Sequence, residues 1–128
     1  MQFDDATLKA CAFSRQKIRY SRALAQAMVD GLRLEHLNSQ DDTTLRNELI
    51  KLPGIGHWTI DIYLLMALNR PDVLPVGDLA LQIAVKEVKN LNERPSAEVL
   101  TLLAEPWRPY RSYATKLLWH YYLSRKSK

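Results

Sequence analysis

Two short segments hold the residues most able to do chemistry. The first is Leu52-Pro53-Gly54-Ile55-Gly56, followed at once by His57, Trp58 and Thr59, with helical apolar spacing on both sides. Proline stops a helix, and two nearby glycines permit a sharp reversal and a close approach of another molecule to the backbone. The amides of Gly56, His57 and Trp58 then open the second helix, where unpaired N–H groups and the positive end of the dipole attract an anion. On duplex DNA that anion is a backbone phosphate, a contact that fixes position and reads no sequence. A plain tight turn between packed helices is the alternative. The second segment is Pro75-Val76-Gly77-Asp78. Read alone, Asp78 is a helix N-cap worth about 1 kcal/mol, and the helix dipole favours its anionic form.

Other reactive residue types are sparse. His36, His57 and His120 are scattered and read as surface or packing residues. The single cysteine, Cys11, excludes an internal disulfide, a cysteine zinc site and an iron–sulfur cluster. Trp58 and Trp119, read without further context, are core tryptophans.

Helices must position these residues, because apolar spacing is helical nearly throughout and no useful alternating pattern occurs. Asp4 or Asp5 caps a short helix to about Phe13. Ser14 caps the next, which carries Ile18, Ala25, Met28 and Val29 toward a stop at Gly31. A loop is expected from His36 to Gln40. Asp41 or Asp42 then caps a helix with Leu45, Leu49 and Ile50 on one face. His57 to Leu68 is apolar all round and reads as a buried central helix. After a loop from Asn69 to Gly77, Asp78 caps a helix containing Leu79, Leu81, Ile83, Ala84, Val88 and Leu91. Ser96 starts a short helix ending near Pro106, and Pro109 fits the first turn of a last helix from Tyr110 to about Leu123. The fold class is all-α.

At 128 residues, 47% hydrophobic and 25% charged, the chain has the composition of one globular domain. The net charge of +4 is unevenly spread: no acid follows Glu105, whereas Arg108, Arg111, Lys116, Arg125, Lys126 and Lys128 do. Arg15, Lys17, Arg19 and Arg22 form a second basic cluster. Such patches suit a polyanion. The longest apolar run, Ile62 to Leu68, falls well below the ~20 residues a membrane span needs. With a polar, acidic start, a soluble intracellular protein is expected.

LPGIGHWT at 52–59, PVGD at 75–78 and EPWRPYRSYA at 105–114 together resemble the helix-hairpin-helix (HhH-GPD) DNA glycosylase superfamily, and within it the DNA-3-methyladenine glycosylase II branch. The stretch from Thr59 to Asp78 needs no gap against that pattern, and the resemblance runs from about residue 7 to 123. It implies one partial helical domain over 1–128, with the hairpin motif at 42–69 and the aspartate loop and last helices at 70–124. The family's upstream helices, including the one that fills the gap left by a flipped base, have no match in Met1 to Phe13, so a truncated N-terminus is expected.

The same resemblance implies base-excision repair by a monofunctional glycosylase. Such an enzyme hydrolyses the N-glycosidic bond of alkylated purines in duplex DNA and leaves an abasic site. Asp78 falls on the catalytic aspartate, and Trp58 and Trp119 on aromatic positions of the base pocket. Two other aromatic positions are Ile62 and Leu79 here, which leaves the preferred base open. Strand-cleaving relatives carry a lysine where this chain has Trp58. Gly54, Gly56, His57 and Thr59 fall on DNA-backbone contacts, and the carbonyls of Ile50, Leu52 and Ile55 on ligands of a sodium or potassium ion. No other cofactor is implied, and no iron–sulfur cluster. The implied partners are duplex DNA with alkylated bases and, downstream, abasic-site repair enzymes. No membrane is implied. The implied address is the cytoplasm, or the nucleoid in a bacterium. Trp107, Arg108, Tyr110, Arg111 and Tyr113 interleave bases with aromatics and are expected to pack the last helix under the aspartate loop. Two rivals remain: a non-catalytic helix-hairpin-helix DNA-binding module or inactive fragment, and a helical protein-interaction domain.

Overall fold

Side-chain caps set the helix starts that the sequence marks. In the computed structural model, which describes residues 2–126, all regular structure among the described residues is helical. The chain forms two compact units, Met1–Gly56 and His57–Lys128.

In the first unit, Asp4 caps α1 (Asp5–Ala10), Ser14 caps α2 (Arg15–Val29) and Asp41 caps α4 (Asp42–Leu49), each through a bond from the N3 amide. Gly31 ends α2 as expected, at φ +115°, with Leu32 N bonded to Ala27 O at 2.9 Å and Gly31 N to Met28 O at 3.2 Å. That is the paired-bond stop which a left-handed residue permits. The loop expected at His36 to Gln40 is instead mostly a short helix, α3 (Leu34–Asn38), with Leu37 buried. Its N-cap, Arg33, makes no side-chain cap bond, so no capping residue announced it in the sequence.

In the second unit, α5 (His57–Ile62) runs on as a π-helical turn, Tyr63–Ala67, with Leu68 N bonded to Tyr63 O. The chain then turns at Asn69, in the left-handed region at φ +53°. Asp78 caps α6 (Leu79–Val88) and Ser96 caps α7 (Ala97–Leu103), which a 3-10 turn, Glu105–Trp107, follows. The last helix, α8 (Arg111–Lys126), begins after Pro109 rather than around it. Its start is set from outside: the Arg111 amide bonds the Asp72 carboxylate at 3.2 Å, and the Ser112 amide bonds Pro71 O at 3.0 Å.

Leu74, Leu81, Val85, Leu100 and Ala104 form a core cluster in this unit. Val76, Leu91, Leu103, Trp107, Leu118 and Trp119 pack against it. Burying a side chain of this kind stabilises by roughly 1.5–3 kcal/mol. The cluster therefore fixes α6 and α8, the two elements that bear Asp78 and Trp119.

Candidate active site

Asp78 lies at the joint between a pinned loop and a helix. Ser112 Oγ accepts from Val73 N at 2.8 Å and donates to Arg70 O at 2.5 Å. The Arg111 guanidinium grips Asp72 through Nε at 2.8 Å and Nη2 at 3.2 Å, and also reaches Asp72 O at 3.3 Å. The Arg111 hydrogen bond holds the Asp72 carboxyl below its ordinary value of 3.8, helped by the Arg111 amide and by the charges of Arg111 and Arg108, against the opposing effect of desolvation. Closer to Asp78, Gln82 Nε2 donates to Val76 O at 2.6 Å. The loop ahead of Asp78 is thus held to α8 at one end and to α6 at the other.

At the end of that loop, Asp78 is 8% exposed and its carboxylate takes three hydrogen bonds. Oδ1 accepts from Leu81 N at 2.8 Å, the expected cap, and from Trp119 Nε1 at 2.9 Å. Oδ2 accepts from Trp58 Nε1 at 2.8 Å. The structure therefore brings together Asp78, Trp58 and Trp119. Trp58 is 51% exposed, which is not the burial of a core tryptophan, whereas Trp119 packs on the core. Leu79 is exposed and Ile62 half-buried. An open cleft of about 640 Å³ runs past Gln82, Arg94, Ser96 and Val99, but its lining includes none of the three.

The remaining expected contacts fall in both units. In the first, Gly54 takes φ +82°, and a Cβ there would stand 2.2 Å from Tyr20 Cγ, so the Tyr20 ring itself demands glycine. A Cβ on Gly56 would meet nothing within 4 Å, so nothing inside the chain requires that glycine. Leu52 O accepts from Ile55 N at 3.1 Å, which leaves its second lone pair, and Ile50 ends α4, where carbonyls lack helical partners. Hard oxygens of this kind suit an alkali ion. In the second unit, His57 and Thr59 are exposed in the first turn of α5.

Much of the basic tail is engaged within its own unit. Arg111 and Arg108 pair with Asp72, Arg108 also pairs with Glu105, and Arg125 pairs with Glu87. Lys116 is exposed, and Lys128 and the Lys126 side chain lie outside the described residues. In the first unit, Arg22 binds Asp5 and the Arg19 guanidinium lies 5.0 Å from the Tyr20 ring centre.

Sequence reasoning placed Arg111 under the aspartate loop, as found, but missed its partner Asp72 and also Ser112, Gln82 and Tyr20. Each makes a bond or contact over a separation that carries no local pattern, except Gln82, which stands one turn after the cap that was found.

The sequence profile described as HhH-GPD superfamily base excision DNA repair protein matches residues 1–109. The chain belongs to this superfamily. YfjP of Bacillus subtilis is 34% identical over 119 residues, covering 92% of this chain and 42% of that protein. Among solved structures, Schizosaccharomyces pombe 3-methyladenine DNA glycosylase (Mag1) in complex with abasic DNA matches with a TM-score of 0.84 and 29% identity, covering 91% of this chain and 58% of that one. DNA-3-methyladenine glycosidase from Bacillus halodurans matches with a TM-score of 0.85 and 29% identity, covering 99% and 59%. This HhH-GPD chain thus spans about two-fifths to three-fifths of the length of these three proteins.

Proposed function

We propose that this chain is the base-excising part of a monofunctional DNA glycosylase that removes alkylated purines of the 3-methyladenine type from duplex DNA. The observation that carries this reading is the Asp78 carboxylate, nearly buried at the start of α6 and held by three donors. Hydrolysis breaks the N-glycosidic bond, and its electron pair leaves with the base. Positive charge then develops on the sugar, and a fixed anion beside it lowers the barrier. Water adds at the sugar carbon and gives up a proton, a step that Asp78 orients or assists.

The substrate class follows from charge. Purines methylated at N3 or N7 are cationic, and the face of an indole attracts a cation. Trp58 and Trp119 supply indoles next to the carboxylate. Weakened bases also cost less to extrude from the duplex. Gly54, Gly56, His57 and Thr59 contact the DNA backbone in this reading. The carbonyls of Ile50, Leu52 and Ile55 would hold an alkali ion that adds positive charge near a phosphate. The address is cytoplasmic, or the nucleoid in a bacterium; among the described residues no helix is long and apolar enough to cross a membrane.

Trp58 occupies the place where strand-cleaving relatives have a lysine, so water and not an amine attacks the sugar. Incubation of the chain with alkylated duplex should give abasic sites that break only on later alkali treatment. Borohydride added during the reaction should trap no protein–DNA adduct. A trapped adduct would contradict the hydrolytic reading.

A further inference from the structure

We propose that Trp58 and Trp119 are positioning residues, whose indole N–H groups clamp the Asp78 carboxylate so that a single acceptor direction, on Oδ2, is left for the reacting sugar or water. Each carboxylate oxygen offers about two lone-pair directions. Oδ1 uses both, on Leu81 N at 2.8 Å and Trp119 Nε1 at 2.9 Å. Oδ2 uses one, on Trp58 Nε1 at 2.8 Å. The two oxygens are therefore unequal, and Oδ2 is the working one.

Indole suits this task because it only donates, and so neither accepts a proton nor loses one near neutrality. The two indoles are also anchored differently. Trp119 sits against the core cluster and fixes Oδ1, together with the cap bond. Trp58 is half exposed and bonds through its edge, so its face stays available to a base while its N–H aims the carboxylate. An interaction that fixes a charged group before reaction acts on turnover, because nothing need reorganise in the transition state. A clamp that served folding alone would leave turnover unchanged.

The inference rests on the glycosylase reading, and single-turnover kinetics separate the two. The substrate is a duplex with one 7-methylguanine, in the presence of excess protein. Trp58→Phe and Trp119→Phe each keep an aromatic face and lose the N–H. Each should slow base release at saturation about tenfold, with the half-saturating protein concentration changed less than about twofold. Wild-type rates in both variants, or weaker binding at an unchanged rate, would overturn the clamp alone. No release by the wild-type chain would overturn the clamp and the glycosylase reading together. A second measurement does not depend on the variants folding well. In the ¹⁵N indole spectrum, Asp78→Asn should move the Trp58 and Trp119 N–H signals and leave that of Trp107. Unmoved Trp58 and Trp119 signals would overturn the clamp.

Discussion

Gly54 and Gly56 stand two positions apart in one turn and are glycine for different reasons. Gly54 is demanded from inside, by a positive φ and by the Tyr20 ring. Gly54→Ala should therefore cost about 2 kcal/mol or more of stability. Gly56 faces open space, so Gly56→Ala should leave thermal stability within about 1 kcal/mol of wild type and weaken duplex binding severalfold. Melting curves and a binding titration check the pair; unaltered binding by Gly56→Ala would remove that glycine from the DNA surface. At this scale the sequence was partly readable. A cap, a turn and a stop are local patterns, so Asp78, Ser14 and Gly31 could be placed by inspection. The bonds from Trp58 and Trp119 to Asp78 span 20 and 41 residues and leave no local trace. Family resemblance put these tryptophans near Asp78 as aromatic faces, and the structure adds their edges.

Among the elements, the loop before Asp78 depends on α8. Asp72 caps that helix from a distance and pairs with Arg111, whose side chain is 13% exposed. Helix starts capped by a local side chain are legible in the sequence. The start of α8 falls one residue after the expected Tyr110, and its cap, Asp72, lies 39 residues away and leaves no local sign. Asp72→Ala should cost roughly 1–3 kcal/mol and loosen the loop. Acid sensitivity follows with a definite sign. The Asp72 carboxyl lies below 3.8 when folded, so its contribution is complete above about that pH and is lost as pH falls through its folded value. Unfolding measured from neutral to strongly acid pH should show a smaller acid loss in Asp72→Asn than in wild type; equal losses would detach this pair from stability.

On the scale of the whole chain, charge is more structured than its linear distribution implies. Arg108, Arg111 and Arg125 answer acids in their own unit, so the tail is less available to a polyanion than a count of bases indicates. In the proposed reading, attraction to DNA falls more heavily on exposed bases elsewhere, such as Arg15, Lys17 and Lys116, and on backbone amides. Duplex affinity should drop linearly on a log–log plot against salt, with a slope of about −0.9 for each phosphate contacted. A salt-independent affinity would favour a protein-interaction domain instead. Fold class was legible because helical spacing runs through the entire sequence, while the π-helical turn and α3 were not, since neither has a distinctive residue pattern.

The most direct measurement is release of methylated bases from alkylated duplex DNA by this 128-residue chain beside its Asp78→Asn variant. Wild type should release base, and Asp78→Asn should fold, bind duplex and turn over at least about 100-fold more slowly. Equal turnover by the two proteins, or no release by the wild-type chain, would contradict the assignment of base excision to Asp78.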